Sequence, residues 1–238
     1  MRDEYKGYRE WKQWGKFGRV SAAEAGYFRR ELRRLPPLAG QSVLEIGFGR
    51  GNFLKFASDQ RAEVYGTELI PELLADARES GFRVSETHEL FADPQSLGSF
   101  DLVLAFDVIE HLDKADLQEF FAAVQRLLKP GGTFLARFPN GHSPFGRLYQ
   151  YGDLTHKSII SGRGIEHLAA LTGFELVEVR NPRMQFVGNP LVWTAQVLQR
   201  GLRDFVEIVV GYTYFNRRLP LDPNLVAHLQ KPAAGISS

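Results

Sequence analysis

Between residues 40 and 182, short apolar runs alternate with amphipathic stretches, and this alternation constrains the fold more than any other feature. The apolar runs predict strands at 42–46, 63–67, 82–85, 100–106, 133–138 and 174–179. Amphipathic stretches at 71–80, 113–128 and 161–171 predict helices between them. Strands that alternate with helices of this length form βαβ units, so we expect a doubly wound α/β fold whose mainly parallel sheet is covered on both faces.

Two further segments flank this predicted core. The chain divides by prediction into four parts, at 1–39, 40–182, 183–222 and 223–238. The first part has an aromatic residue at every third position, each followed closely by a basic residue, at Tyr5, Tyr8, Trp11, Trp14 and Phe17. A helix at 21–35 follows, introduced by the capping-box spacing of Ser21 and Glu24.

The third part, 183–222, carries apolar residues on one helical face between 190 and 210. This face predicts a helical insertion, which could serve as a lid, a dimer arm or a surface contact. Core or dimer contact is favoured over contact with a membrane. The fourth part predicts a last short strand at 224–229 and a tail.

Composition excludes several classes of protein. The chain has no cysteine, so disulfides, thiolate nucleophiles and cysteine-based zinc sites are excluded, and a cytoplasmic location is expected. The N-terminus lacks the apolar core of a signal peptide, and no apolar run reaches membrane-spanning length. The net charge of +1 predicts no particular partner, although residues 1–40 are locally basic.

A glycine-rich segment follows the first predicted strand and indicates a cofactor site. Gly47, Gly49 and Gly51 lie at a strand-to-helix turn, where glycines let a ligand approach main-chain N–H groups. Dinucleotide enzymes use Gly-x-Gly-x-x-Gly, whereas the spacing here is Gly-x-Gly-x-Gly, so an NAD-dependent dehydrogenase is the weakest alternative. Glu45 would repel a pyrophosphate but suits a cationic methionine-like group. Glu68 ends the next strand, where a carboxylate can bind both ribose hydroxyls.

Four segments resemble motifs of the class I S-adenosylmethionine (SAM)-dependent methyltransferases. Residues 43–51 resemble the first motif, and residues 65–68 resemble the ribose-binding motif. Residues 99–112 resemble the fourth-strand motif of the group that includes ubiquinone-biosynthesis and small-molecule O-methyltransferases, and residues 127–134 resemble the segment that enters the fifth strand. The resemblance implies a Rossmann-like, seven-stranded mixed sheet with helices on both faces and an antiparallel last strand.

The resemblance also implies which residues hold SAM, whose product is S-adenosylhomocysteine (SAH). The glycines would face the methionine end of SAM, and Glu68 would bind its ribose. Thr87 and its neighbours would flank the adenine, and the end of the fourth strand would contact the amino group of the methionine. The complete expected set is Glu45, Gly47, Gly49, Gly51, Glu68, Leu69, Thr87, Phe106 and Asp107.

Two regions beyond the carboxyl ends of the strands offer a base for methyl transfer to a hydroxyl. His111 follows the fourth strand. The long loop 139–160 contains Asp153-Leu-Thr-His156, which resembles an element of methyltransferases encoded with surface-polysaccharide and sugar-modifying genes. Asp153 and His156 could deprotonate a sugar hydroxyl or could only hold the loop. Glu110 is expected to be solvated or structural.

No metal is expected, because the spacing of His142, Asp153 and His156 matches no recognised ligand pattern.

Taken together, the motifs predict a SAM-dependent methyltransferase that acts on an oxygen atom of a small molecule or glycan by in-line displacement. An RNA methyltransferase and a non-catalytic SAM-binding regulator or subunit stay open as alternatives. Nucleic acid is disfavoured as a partner, because no Asn/Asp-Pro-Pro-Tyr/Phe element follows strand four. Residues 5–19 could form a lid over the site, and peripheral membrane contact or a homodimer would suit the flanking segments.

Overall fold

A computed structural model describes residues 5, 7–12, 14–184 and 190–233. Within these residues the strands are β1 Ser42–Ile46, β2 Glu63–Thr67, β3 Arg83–Ser85, β4 Phe100–Phe106, β5 Leu128–Pro139, β6 Glu175–Arg180 and β7 Asn224–Gln230. The helices are α1 Tyr8–Trp11, α2 Ala22–Glu31, α3 Asn52–Asp59, α4 Pro71–Glu79, α5 Thr87–Ala92, α6 Leu117–Leu127, α7 Arg147–Gly152, α8 Gly162–Thr172 and α9 Pro190–Phe215. Short 3-10 turns occupy Pro94–Ser96, Ile109–His111 and Pro144–Gly146.

The strands form one mixed sheet in the order β3-β2-β1-β4-β5-β7-β6. Strands β1 to β5 pair in parallel, whereas β7 runs antiparallel to both β5 and β6. The predicted doubly wound fold and its antiparallel last strand are confirmed. Because the order reverses between β1 and β4, a crevice opens at their carboxyl ends, where ligands bind in sheets of this kind.

The sheet is buried on both faces, as successive residues of its central strands show. Val43 of β1 packs in the layer formed with α2 and α3. Its neighbours Leu44 and Ile46 pack in the opposite layer, with α6 and α8. Alternation of this kind follows from the two-residue period of a strand. It fixes which side chains of each strand point to each face of the sheet.

Several boundaries differ from the prediction. The strand predicted at 133–138 is longer in the structure, where β5 runs over twelve residues from Leu128 to Pro139. The loop 139–160 contains α7, and Thr87 begins the short helix α5, which the sequence pattern did not reveal. The capping box at the start of α2 is confirmed, since Ser21 and Glu24 exchange both side-chain-to-backbone hydrogen bonds. Local periodicity therefore located the long elements and missed the short ones.

The flanking segments have the predicted helical character. Helices α1 and α2 precede the sheet, and α9 connects β6 to β7. Parts of the predicted segments, at 1–4, 6, 13, 185–189 and 234–238, lie outside the described residues. The four-part division of the chain stays a prediction. In the portion that is described, no helix combines the length and apolar character needed to cross a membrane.

Helix α9 corrects one expectation. Its apolar stripe was expected to make core or dimer contact; the core contact is wrong, and the dimer contact stays a prediction. Leu198, Leu202 and Phe205 instead keep 74%, 64% and 62% of their surface exposed, so the stripe is not part of the core. Periodicity identified the apolar face correctly, but it could not tell on which side of the helix the domain lies.

Candidate active site

A cavity of about 1550 Å³ lies beyond the carboxyl ends of β1 and β4. Small-molecule pockets usually measure about 300–1,000 Å³, so the cavity has room for two molecules side by side. Eleven of the twelve predicted site residues line it, namely Glu45, Gly47, Gly49, Glu68, Leu69, Thr87, Phe106, Asp107, His111, Asp153 and His156. The twelfth, Gly51, does not line the cavity and instead provides the N-cap of α3.

The glycine turn approaches its neighbours too closely for any side chain. Gly47 has φ +67°, and a Cβ there would lie 2.6 Å from Cγ2 of Val108. Gly51 has φ +69°, and a Cβ there would lie 2.2 Å from the ring of Phe17. Both conformations are left-handed, which glycine adopts without strain. The turn therefore leaves backbone, not side chains, at this wall of the cavity.

Two buried carboxyl groups lie behind this turn. Glu68 accepts hydrogen bonds from the N–H groups of Gly49 (2.9 Å) and Leu69 (2.7 Å), and Glu45 accepts one from the N–H of Leu54 (3.0 Å). Burial raises the pKa of Glu45 well above its usual range, and the nearby Glu68 adds to the effect. Burial also raises the pKa of Glu68, although its backbone donors oppose the shift. Both carboxyls could accept donors from a ligand.

Asp107 directly follows β4 in a left-handed conformation, with φ +58°, and faces a cation that the sequence analysis missed. Arg137 of β5 donates to both carboxylate oxygens of Asp107, and to the hydroxyl of Tyr27 at 3.1 Å. Burial would lower the pKa of Arg137, but Asp107 and Tyr27 outweigh it and raise the pKa. A lone arginine within the apolar run 133–138 was the signal that could have revealed this pair.

A hydrogen-bonded chain links Asp153, Thr155 and His111. The Thr155 hydroxyl donates to Oδ1 of Asp153 at 2.6 Å, and the Thr155 oxygen lies 2.9 Å from Nδ1 of His111. Since a hydroxyl has one proton to donate, Nδ1 of His111 must be the donor to Thr155. This assigns the tautomer and leaves Nε2 of His111 with a free lone pair. Burial foremost, with the charge on His156, lowers the pKa of His111 to about 4.

His156 lies edge-on to His111, with ring centroids 4.7 Å apart. Its Nε2 lies 3.9 Å from carboxylate oxygens of both Glu110 and Asp153, and burial lowers its pKa. Glu110 was expected to be solvated or structural; it is only 1% exposed, which excludes the solvated alternative and leaves the structural one. Burial and the nearby Asp107 raise the pKa of Glu110. One ligand atom each from Glu110, His111 and His156 lie within 4.8 Å of one another, so this group could hold a metal ion.

The N-terminal aromatic segment closes one side of the cavity. The Tyr8 hydroxyl donates to Oδ2 of Asp153 at 2.9 Å, and Nζ of Lys12 pairs with the same oxygen at 2.9 Å. Hydrogen bonds from Thr155, Lys12 and Tyr8 outweigh burial and hold the pKa of Asp153 below its usual range. The Trp14 ring lies 3.2 Å from where a Cβ on Gly49 would stand. The segment therefore spans from the glycine turn to the Asp153 network.

Two further residues near the cavity, Thr87 and Asn140, have local roles. Thr87 lines the cavity at the start of α5 and donates from its hydroxyl to Oγ1 of Thr67 at 3.0 Å. Asn140, in the loop after β5, is 1% exposed, and its side-chain amide donates to the carbonyls of Pro220 and Asp222 at 3.0 Å. Asn140 thus fastens the loop to the chain that returns from α9.

The fold and the site together define a class I SAM-dependent methyltransferase. The sheet has seven strands, the glycine turn follows β1, and the acidic residue Glu68 follows β2. A family model described as a methyltransferase domain matches residues 21–179, two thirds of the chain. The chain belongs to this methyltransferase family and is a SAM-dependent enzyme.

Individual relatives agree with this assignment. A ubiquinone biosynthesis O-methyltransferase from Ruegeria sp. (strain TM1040) is 29% identical over 199 residues, which cover 77% of this chain and 78% of the relative. A probable S-adenosylmethionine-dependent methyltransferase from Mycolicibacterium smegmatis is 36% identical over 124 residues, covering 50% and 48%. The crystal structure of a SAM-dependent methyltransferase from Archaeoglobus fulgidus superposes with a TM-score of 0.64 at 20% identity, covering 96% of this chain and all of that one.

Proposed function

We propose that the protein transfers the methyl group of SAM to a hydroxyl oxygen of a small molecule or glycan, with His111 as the base. The observation that carries this proposal is the Asp153–Thr155–His111 chain, which leaves Nε2 of His111 free at the wall of a two-ligand cavity. A fixed tautomer with a free lone pair is the arrangement that general-base catalysis needs.

The cavity fits SAM at the glycine turn. Gly47 and Gly49 present main chain to the methionine end, where no Cβ could be accommodated beside Val108. In this proposal Glu68 accepts hydrogen bonds from the ribose hydroxyls, and Asp107, held by Arg137, receives the amino group. Glu45 supports the same wall, Phe106 lies beside Asp107 at the amino end, and Leu69 and Thr87 border the adenosine. SAM supplies a methyl group that is already activated on a sulfonium.

His111 then acts on the acceptor. Its Nε2 accepts the hydroxyl proton as the acceptor oxygen forms its bond to the methyl carbon, and the carbon–sulfur electron pair leaves with SAH. The resulting imidazolium is stabilised by Asp153 through Thr155, because the carboxylate is the nearest negative charge on that path. His156 packs edge-on against His111 and restricts its ring, with Glu110 behind it.

Two lines of support favour a hydroxyl acceptor. A relative that aligns with 77% of the chain is named for O-methylation in ubiquinone biosynthesis. The Asp-x-Thr-His element, which resembles that of sugar-modifying methyltransferases, is part of the base network itself. RNA methylation is less well supported, because Lys12 of the basic N-terminal segment is directed at Asp153 and not outward.

An acceptor screen with a matched set of variants tests the proposal. Release of SAH would be followed with phenols, catechols and sugar nucleotides as acceptors. His111→Gln should reduce kcat by about 100-fold or more while SAH affinity stays within about twofold. His167→Gln, on the exposed side of α8, is the control and should leave kcat unchanged. Full activity in His111→Gln would refute the assignment of the base. If no acceptor is methylated by protein that binds SAH, the non-catalytic alternative is favoured.

A further inference from the structure

In helix α9 the charged and apolar faces are reversed relative to those of an ordinary surface helix. Its charged residues face the domain. Glu207, 2% exposed, accepts hydrogen bonds from the side-chain amide of Asn181 and from the N–H of Leu221 at 2.9 Å. Arg200 pairs with Asp222 at 3.1 Å. The helix is therefore fastened to the strand ends through polar contacts, and the domain covers none of its apolar stripe.

The outward face of α9 is apolar and wide. At 100° per residue, Leu198, Leu202, Phe205, Val209 and Tyr212 all lie on the side opposite Glu207. Each keeps between 45% and 74% of its surface exposed. Val206 and Ile208, exposed as well, flank this stripe. The apolar face thus exceeds the narrow seam that pairs two helices in a coiled coil, whose flanking positions are usually charged.

The loop after β5 carries a second exposed apolar patch. In the loop after β5, Leu148 and Leu154 are 76% and 97% exposed, and Leu148 also lines the cavity. The same loop rests on the chain that returns from α9, since the Ser143 hydroxyl donates to the carbonyl of Leu221 at 2.6 Å. The loop is therefore fastened to the chain that returns from α9, and its exposed Leu148 borders the active-site cavity.

Positive charge accompanies the apolar surface. Arg180 and Arg183 flank Asn181, the residue that binds Glu207 of α9. Burial, and then the charges of Arg180 and of the exposed Arg33 and Arg34 in the segment after α2, lower the pKa of Arg183. In the described part of the chain, Arg34, Arg180 and Arg183 pair with only two acidic residues, Glu31 and Glu178. Among the described residues, the surface next to α9 thus carries a net positive charge.

We propose that α9 is an interfacial helix that binds the surface of a membrane containing anionic lipids. Its outward face enters the boundary between headgroups and acyl chains, and the neighbouring arginines contact the anionic headgroups. Lipid covers the whole width of the apolar face, whereas pairing of two α9 helices along a narrow seam would leave the flanking Val206 and Ile208 exposed. Bound in this way, the protein holds its cavity near the membrane, because the loop that carries Leu148 is fastened to the chain that returns from α9. This inference does not depend on the identity of the methyl acceptor.

Vesicle co-sedimentation tests the proposal on the full chain. Vesicles of phosphatidylcholine, with and without phosphatidylglycerol, would be compared at low and high salt. Wild-type protein should bind the anionic vesicles, and salt should weaken the binding. The double variant Leu198→Glu/Leu202→Glu should lose at least about tenfold in vesicle affinity, because a charged group is costly in the acyl region. Arg33→Glu/Arg34→Glu should lose the preference for phosphatidylglycerol.

Two controls separate lipid binding from misfolding and from dimerisation. Leu97→Glu, at a site about half exposed outside this surface, should leave vesicle binding unchanged. Unchanged SAH affinity in every variant would show that the fold is intact. This measurement can be made without knowing the methyl acceptor. Failure of wild-type protein to bind anionic vesicles would overturn the proposal. The proposal would also be overturned if light scattering showed a dimer that the Leu198→Glu/Leu202→Glu substitutions dissociate, and if the wild-type protein did not bind vesicles.

Discussion

Replacing His111 with glutamine should change how the stability of the protein depends on pH. Burial, His156 and Lys12 lower the pKa of His111 to about 4, against the opposing influence of Asp153. In the unfolded chain an imidazole has a pKa of about 6.5. Between these values the unfolded state binds a proton that the folded state does not, so stability is lost as the pH falls from about 6.5 towards about 4. The full shift corresponds to roughly 3 kcal/mol, and partial exposure of the ring reduces this to about 2 kcal/mol.

Denaturant unfolding at a series of pH values between neutral and mildly acidic measures this contribution. The free energies of unfolding of wild type and His111→Gln should converge as the medium is acidified, because only the wild type loses the His111 contribution. His167→Gln, which replaces an exposed histidine of α8, is the matched control and should show no comparable convergence. A difference between wild type and His111→Gln that stays constant with pH would contradict the low pKa and the buried placement of the ring.

Two further substitutions test the geometry. Gly47→Ala should lower the free energy of unfolding by about 2–4 kcal/mol in thermal or denaturant unfolding, because it adds a clash with Val108 to a left-handed backbone. Gly40→Ala, also left-handed at φ +76° but with no atom within 4 Å, should cost only about 1 kcal/mol, and equal losses would contradict the clash. Thr155→Val removes the acceptor of His111, so steady-state assays should show kcat about tenfold or more lower with SAH affinity retained. An unchanged kcat would exclude Thr155 from the base network.

The sequence predicted those parts of the site that depend on local spacing. Gly47, Gly49 and Glu68 follow directly from predicted strands, and parallel strands bring their carboxyl ends to one edge of the sheet. Within the described residues the order of the strands agrees with that expectation. Cofactor class and fold were therefore predictable from one chain, because each strand end carries its own part of the pattern.

The parts that depend on distant pairing were not predictable. Asp107 and Arg137 lie 30 residues apart, and His111 and Thr155 lie 44 apart, so no local pattern joins either pair. His111 and His156 were each named as a candidate base from the sequence, but their contact at 4.7 Å appears only in the fold. Helix α9 is a similar case at the surface. The spacing of its apolar residues identifies an apolar face, but it does not show which face of the helix packs against the domain.

Calorimetric titration of SAH, SAM and NADH into the purified protein tests the central claim most directly. Glu68→Gln keeps the shape of the side chain but removes the charge proposed to bind the ribose hydroxyls, and Glu72→Gln, exposed on α4, is the matched control. The account predicts micromolar binding of SAH and SAM, weakened about 10- to 100-fold in Glu68→Gln, unchanged in Glu72→Gln and absent for NADH. Wild-type affinity in a folded Glu68→Gln protein, or tight binding of NADH, would contradict the assignment of the cofactor site.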